Sequence, residues 1–341
     1  DAADAVTYPL THATGEVMNR NLLIITLNGL SYADLTLEDT PQLMALKQQY
    51  HSYEQCYLPY QAVRDNAFAA TWGVPVSYRD SFAAAGLYPV TVEEMHHQDF
   101  AIHLVTDDLS IVSRQDLQHF LGSTRLSELD RVTSTADAVK AGQDWLKTLP
   151  AGRPFALSLS VNPLNRINLS ADARRALLKE TDSAVGAFID TLRGSAFMDH
   201  TLIIITSLAG NPDRRESGTL YPREQQHVPL IVIWPEGYQR SVSSGELCST
   251  FDLVPTVGSE ILGLSSNPAD YSVGNSLFNL QERQFFVTTA ERSLLLIAPR
   301  SITVYRRDGR SFIENYGVHM AVEPNLRNLM LAMRMLNRFK Q

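Results

Sequence analysis

The chain has 341 residues, 44% hydrophobic and 19% charged, with 29 Lys and Arg against 37 Asp and Glu for a net charge of −8. That balance supports a sizeable core in one or two domains and excludes disorder, collagen and coiled-coil rods. The acidic surplus argues against general nucleic-acid binding, and no run approaches the ~20 apolar residues of a membrane span.

Strand-like apolar runs alternate with helical patterns, which predicts an α/β fold with a largely parallel, buried sheet. Asn21 to Leu27 reads as a first buried strand, ended by Asn28-Gly29. Thr40-Pro41 opens a helix to about Tyr50, with proline at the first helical position. Residues 100–105 form another strand, 136–149 a helix closed by Pro150, and 155–161 a strand. A long helix over 170–192 starts at Ser170 and Asp172 and is followed by Gly194. Residues 201–206 and 228–234 are short apolar strands, and 250–262 is a helix ended by Gly263. After about residue 280 the runs 284–289, 293–298, 301–306 and 310–315 suggest short antiparallel strands, with Asp308-Gly309 as a hairpin turn. A closing amphipathic helix covers 323–339, its apolar stripe comprising Leu326, Leu329, Met330, Met333, Leu336 and Phe339. That spacing is expected to dock on the sheet.

Charge is uneven. Residues 291–341 hold nine Lys or Arg and four acids, a local +5 that leaves −13 for the rest. A basic tail on an acidic body suits an anionic partner, and a solvated surface accounts for the same charges. Two cysteines, Cys56 and Cys248, make neither a disulfide scaffold nor a zinc motif, and two buried thiols fit better than a long-range bridge. The chain begins at Asp1 without Met or a signal sequence, so a fragment or processed form is expected and an upstream anchor stays open.

Several segments, in order, resemble the alkaline phosphatase/sulfatase superfamily. Residues 22–30 look like its opening strand and metal-binding turn. Residues 181–192 and 198–207 look like its long helix and the strand into its second metal motif. Residues 227–235, 250–263 and 271–278 continue the series. Within the superfamily the resemblance is nearest to periplasmic domains of Gram-negative inner-membrane proteins, through 198–235, 271–278, Asp65-Asn66 and 73–78. It implies a sandwich with a mostly parallel central sheet and helices on both faces, plus a small C-terminal antiparallel sheet and closing helix. Residues 1–19 would be a linker from a membrane region, 20–280 the sulfatase-like domain and 281–341 the C-terminal subdomain.

The chemistry of that superfamily needs a nucleophile and Asp or His ligands for divalent metal. Here the resemblance aligns Asn28 with a metal-binding Asp, and a neutral amide gives a hard cation no counter-charge. Val63 falls at the nucleophile position, with Tyr60, Thr71 and Ser77 nearby in sequence. Leu208 and Ala209 fall where Asp and His ligands are expected, and Gln225 where a further His or Lys is expected. Residues 158–163 lack a His motif. The resemblance therefore implies a fold that has lost catalysis and needs no cofactor. Asn28, Asp34, Asp65, Asp252 and His227 are the remaining candidates for a single metal. His96-His97 after Glu93-Glu94 reads as a solvated surface, since adjacent residues do not share a helix face. Arg174-Arg175 and Arg214-Arg215 read as exposed charges.

By the same resemblance, the domain is expected at the periplasmic face of the inner membrane. It would bind acidic lipid, lipid A or cardiolipin, and act with envelope regulatory proteins on lipopolysaccharide synthesis and outer-membrane integrity. Arg64 is the candidate anion contact at the old site, and Arg306, Arg307, Arg310, Arg334 and Arg338 are the candidate lipid contacts. The alternative is a metal-dependent phosphatase, sulfatase or phosphoethanolamine-type transferase acting on envelope lipids.

Overall fold

The computed structural model describes residues 5–108, 129–238, 244–278, 280–315 and 318–341. Its centre is β1 (Asn21–Leu27), an Asn-Leu-Leu-Ile-Ile-Thr-Leu run. Strands apolar on both faces belong in the middle of a covered parallel sheet. β1 accordingly pairs in parallel with β5 (Phe155–Val161) on one side and β6 (Thr201–Thr206) on the other. β3 (Ala101–Thr106) and β4 (Leu129–Arg131) extend the parallel part beyond β5.

Beyond β6 the sheet turns mixed. β8 (Leu230–Ile233) is antiparallel to β6 and to β2 (His51–Tyr57), which also pairs with β7 (His227–Val228) and β9 (Ser244–Ser249). The strand expected over 228–234 is thus two. Pro229 has no N–H for a ladder, and its carbonyl instead accepts the Thr206 hydroxyl at 2.7 Å. β2 and β9 escaped the sequence reading because His, Glu, Gln and Ser interrupt their apolar pattern. In the β2–β9 pairing Cys56 stands opposite Cys248, and both are buried free thiols.

Alternation along β1 divides the core. Leu23, Ile25 and Leu27 face α1 (Pro41–Gln49), α5 (Thr135–Lys147) and α6 (Ala171–Arg193). Leu22 and Ile24 face a second layer built partly from α2 (Val63–Trp72), α4 (Val90–His97) and α8 (Leu253–Glu260). The short helices α3 (Arg79–Ala84) and α7 (Arg223–Gln226) lie in connections. Ser134 and Ser170 cap α5 and α6 by accepting the N–H groups of Asp137 and Ala173, each at 3.1 Å. α1 is capped from a distance: the Asp182 carboxylate accepts the N–H groups of Gln42 and Leu43 at 2.9 and 2.8 Å. The helix expected over 250–262 starts with a 3-10 turn, Thr250–Asp252, and ends at Glu260.

The C-terminal sheet is a meander of β10 (Phe286–Ala290), β11 (Ser293–Ile297), β12 (Ile302–Tyr305), β13 (Ser311–Asn315) and β14 (Val318–Ala321). One face sends Phe286, Leu295, Ile297, Ile302 and Val304 into the main core. The other places Val287, Leu296 and Tyr305 under α9 (Leu326–Asn337), against Leu329, Ala332, Met335 and Leu336.

Here the expected stripe needs correction. Leu326, Met330 and Met333 are exposed, because α9 rests on Ala332 and turns those three side chains toward solvent. Phe339 does join the core, in an aromatic cluster with Tyr8, Tyr78 and Phe82. The N-terminal segment, expected as a linker, is tied into this same region. Tyr8 is buried, Val6 bridges to Lys340, and the Thr7 N–H donates to the Phe339 carbonyl at 2.9 Å.

Candidate functional site

Parallel sheets gather their loops at the carboxyl ends of the strands. Four of the sequence-predicted site residues meet there. Asn28 follows β1, Val63 opens α2, and Leu208 and Ala209 follow β6. Val63, Leu208 and Ala209 form a small buried apolar cluster against Ala67 and Ala70. The three positions for which the resemblance expects a nucleophile and metal ligands therefore touch each other through hydrocarbon.

Asn28 is fully buried and holds this junction together. Its Nδ2 donates to Ser160 Oγ at 3.1 Å and Asn162 Oδ1 at 3.0 Å, and its Oδ1 accepts the Leu208 N–H at 2.9 Å. The amide oxygen that could face a cation is thus engaged by backbone. Gly29 adopts φ +94°, and a Cβ there would fall 2.3 Å from the Leu164 carbonyl carbon. Asn66, which the sequence reading quoted without a role, donates to the carbonyls of Tyr60 and Leu208 at 2.7 and 2.8 Å and accepts the Tyr60 N–H at 3.0 Å. Gln225 is buried too: its Nε2 donates to the Asn211 carbonyl at 2.9 Å and its own carbonyl accepts the Ser31 hydroxyl at 2.8 Å.

The one-metal candidates are likewise engaged. Asp34 accepts the Ser31 N–H, the Asn211 amide and the guanidinium groups of Arg174 and Arg214. Two cations already balance its charge. This corrects the reading of Arg174 as an exposed charge. It is 7% exposed and also donates to the carbonyls of Leu164 and Gly29. Arg214 is half-buried between Asp34 and Glu224, while Arg175 and Arg215 are on the surface.

Arg79 pairs with Asp65 at 2.8 Å. Asp252 is fully buried, accepts the N–H groups of Ser249 and Asn275, and pairs with Arg283. His227 lies stacked between Tyr32 and Tyr57, with ring centroids at 4.3 and 4.7 Å, and its Nε2 donates to the Glu54 carbonyl at 2.7 Å. Burial holds its basicity below the ordinary histidine value. Among the described residues no group of three or more His, Cys, Asp or Glu is placed to hold a metal ion. His96 and His97 are exposed.

Under the cluster lies a cavity of about 130 Å³ between the central sheet and helices α2, α4 and α8. Its wall is mostly hydrocarbon, including Ile24, Phe68, Trp72, Met95 and Val257, and Arg64 lies on its rim. Ile24 and Ser158, in the middle of central strands, are only partly buried because the helices above them leave this gap. Dry apolar cavities of roughly this size take up small apolar ligands.

The tail arginines are divided. Arg306, Arg307 and Arg310 are exposed at the β12–β13 turn, with Arg306 over the Phe312 ring and Arg310 paired to Asp308 at 2.7 Å. Arg334 is exposed on α9. Arg338, expected as a lipid contact, is half-buried and donates to the Ser272 carbonyl at 2.7 Å, so its charge serves the fold. Among the described residues no helix is long and apolar enough to cross a membrane.

Comparison with known proteins agrees with this fold. The Sulfatase family model matches residues 119–260. The inner membrane protein YejM of Salmonella typhi is 23% identical over 331 residues, which is 93% of this chain and 54% of that protein. The chain thus spans about half the length of the curated relative it matches. The ulvan-active sulfatase of Formosa agariphila is 28% identical over 141 residues, 40% of this chain and 22% of its own. Among solved structures, an alkaline phosphatase superfamily protein from Vibrio parahaemolyticus superposes with a TM-score of 0.76 at 16% identity, covering 98% of this chain and 89% of that one. The lipoteichoic acid synthase LtaP of Listeria monocytogenes gives 0.72 at 13% identity, over 98% of this chain and 94% of that one. The chain shares its fold with these solved structures, and over nearly all its length it is similar to the inner membrane protein YejM.

Proposed function

We propose that this chain is a non-catalytic domain of an inner-membrane protein. It binds acidic lipid of the lipid A or cardiolipin type on the periplasmic side and takes part in controlling lipopolysaccharide synthesis and outer-membrane integrity. The observation that carries the reading is the Val63, Leu208 and Ala209 cluster at the head of an apolar cavity. Valine offers no nucleophilic atom, and leucine and alanine offer no ligand, so phosphoryl or sulfuryl transfer loses both of its requirements. What stands in their place, hydrocarbon rimmed by Arg64, suits an acyl chain and its anionic neighbour. Similarity to YejM supports the membrane setting. The relevant partners are acidic lipid, envelope regulatory proteins and a membrane region of the same protein.

The rival reading, a metal-dependent hydrolase or transferase, draws on structural neighbours such as the phosphonate monoester hydrolase of Silicibacter pomeroyi, with a TM-score of 0.65. Metal analysis separates the two. After equilibration with Mg, Mn, Ca and Zn, the non-catalytic reading expects less than about a tenth of an ion per chain. Near one ion per chain, with turnover of phosphate or sulfate esters, would overturn it.

A further inference from the structure

Twelve large hydrophobic side chains are exposed among the described residues, and half of them fall within residues 318–333: Val318, Met320, Leu326, Met330, Leu331 and Met333. Scattered apolar exposure needs no explanation, whereas a gathered patch points to something that covers it.

The register of the C-terminal meander places these residues on one side. Val287, Leu296, Thr303, Ile313 and Met320 stand opposite one another across β10 to β14, so their side chains share one face of the sheet. α9 covers that face at the Val287 and Leu296 end. At the far end Met320, and Val318 two residues before it on the same face, are 57% and 65% exposed. On α9 the sheet side is taken by Leu329, Ala332 and Leu336. Leu326, Met330 and Met333, at positions i, i+4 and i+7, form a row on the side turned away from the sheet. The outer side of α9 and the uncovered end of the sheet therefore point the same way out of the molecule.

Charge selects the occupant. α9 contains no acidic residue, and Arg327 and Arg334 are exposed beside the Leu and Met row. Residues 318–341 hold four Lys or Arg and one acid, on a chain whose net charge is −8. In a two-fold contact with a second copy the same patch would meet itself, arginine against arginine. Anionic headgroups complement it instead, and an apolar row flanked by arginine is the pattern of a helix lying in the plane of a membrane interface. We infer that the outer face of α9, together with Val318 and Met320 of β14, is the surface by which this chain rests on an anionic bilayer. Leu326, Met330 and Met333 enter the headgroup boundary, while the Arg327 and Arg334 guanidinium groups stay level with the phosphates. The inference rests on the acidic-lipid reading and gives that reading a surface.

The test is flotation of the whole chain with phosphatidylcholine vesicles and with phosphatidylcholine vesicles containing cardiolipin, at low and high salt. Binding to the cardiolipin vesicles is expected, with neutral vesicles weaker by about tenfold or more. Met330→Gln combined with Met333→Gln should weaken that binding by about tenfold. Arg327→Gln combined with Arg334→Gln should weaken it by about tenfold and reduce its salt dependence. These four side chains are exposed, so the thermal melt should stay in place. If the methionine pair nevertheless lowers the melt, Val318→Gln with Met320→Gln carries the test from another element. Wild-type binding that every variant leaves unchanged overturns the proposal, while acidic-lipid binding itself stands. Absence of wild-type binding to cardiolipin vesicles overturns the proposal and removes cardiolipin from the lipid reading. A dimer in sedimentation that the methionine variant dissociates assigns the face to a second copy and also overturns it.

Discussion

His227 shows how a residue with catalytic chemistry becomes a packing element. It is stacked between two tyrosines, its Nε2 bonds a carbonyl, and burial holds it below the ordinary histidine value. The unfolded chain takes up its proton near pH ~6.5, while the folded chain resists doing so until the pH is lower. The unfolded state therefore binds more protons in that window, and stability falls as the pH is lowered through it. His51, half-buried against Tyr53, contributes with the same sign. Urea denaturation across this range should show wild-type stability dropping on acidification. His227→Gln, which keeps a donor for Glu54, should flatten that slope by up to about one proton. An identical slope in the variant would mean that His227 titrates normally in the fold.

The same scale shows where sequence reading of the site stops. Asn28, Val63, Leu208 and Ala209 were legible because a motif fixes their order. The engagement of Asp34 was not, since its partners Arg174 and Arg214 come from positions far along the chain. A signal for Arg174 did exist. It shares the buried face of α6 with Leu178, Asp182 and Val185 at helical spacing, and a charge on such a face has to find a partner.

At the scale of elements, α9 is the instructive case. Its stripe of Leu, Met and Phe has core spacing, yet only part of it is covered. A helix resting on a narrow sheet buries the side that touches, and Ala332 lets it sit close. Leu326, Met330 and Met333 remain outside, beside Arg327 and Arg334. Met330→Gln and Met333→Gln should each change stability by less than about 0.5 kcal/mol. Phe339→Ala, two residues past the helix, should cost about 3–5 kcal/mol because it opens the aromatic cluster. Denaturant unfolding of the three variants checks this ordering, and a large loss at Met330 would mean that the helix packs the other way. β2 and β9 teach the complementary lesson. Their polar residues hide them from any period-2 search, and they are strands because neighbouring strands supply the hydrogen bonds.

For the whole molecule, the uneven charge is the property with a functional reading. The three exposed arginines of the β12–β13 turn project from an otherwise acidic body. Each cation near an anionic bilayer contributes about 1 kcal/mol, and salt screens that attraction. On the lipid-binding function proposed above, replacing Arg306, Arg307 and Arg310 with Ala should weaken binding to lipid A or cardiolipin liposomes and reduce its salt dependence. Binding that is unchanged at both low and high salt removes this turn from the proposed lipid-binding role.

Composition and apolar periodicity were enough to read the buried parallel strands, the long helix over 171–193 and the antiparallel tail, because each is set by local backbone preference and by which side chains avoid water. Motif order was enough to single out Val63, Leu208 and Ala209 as one set of positions. That these side chains close on one another and that Arg174 and Arg214 pair with Asp34 are consequences of tertiary structure. Each depends on groups far apart in the chain whose distance and solvation only the packed fold defines.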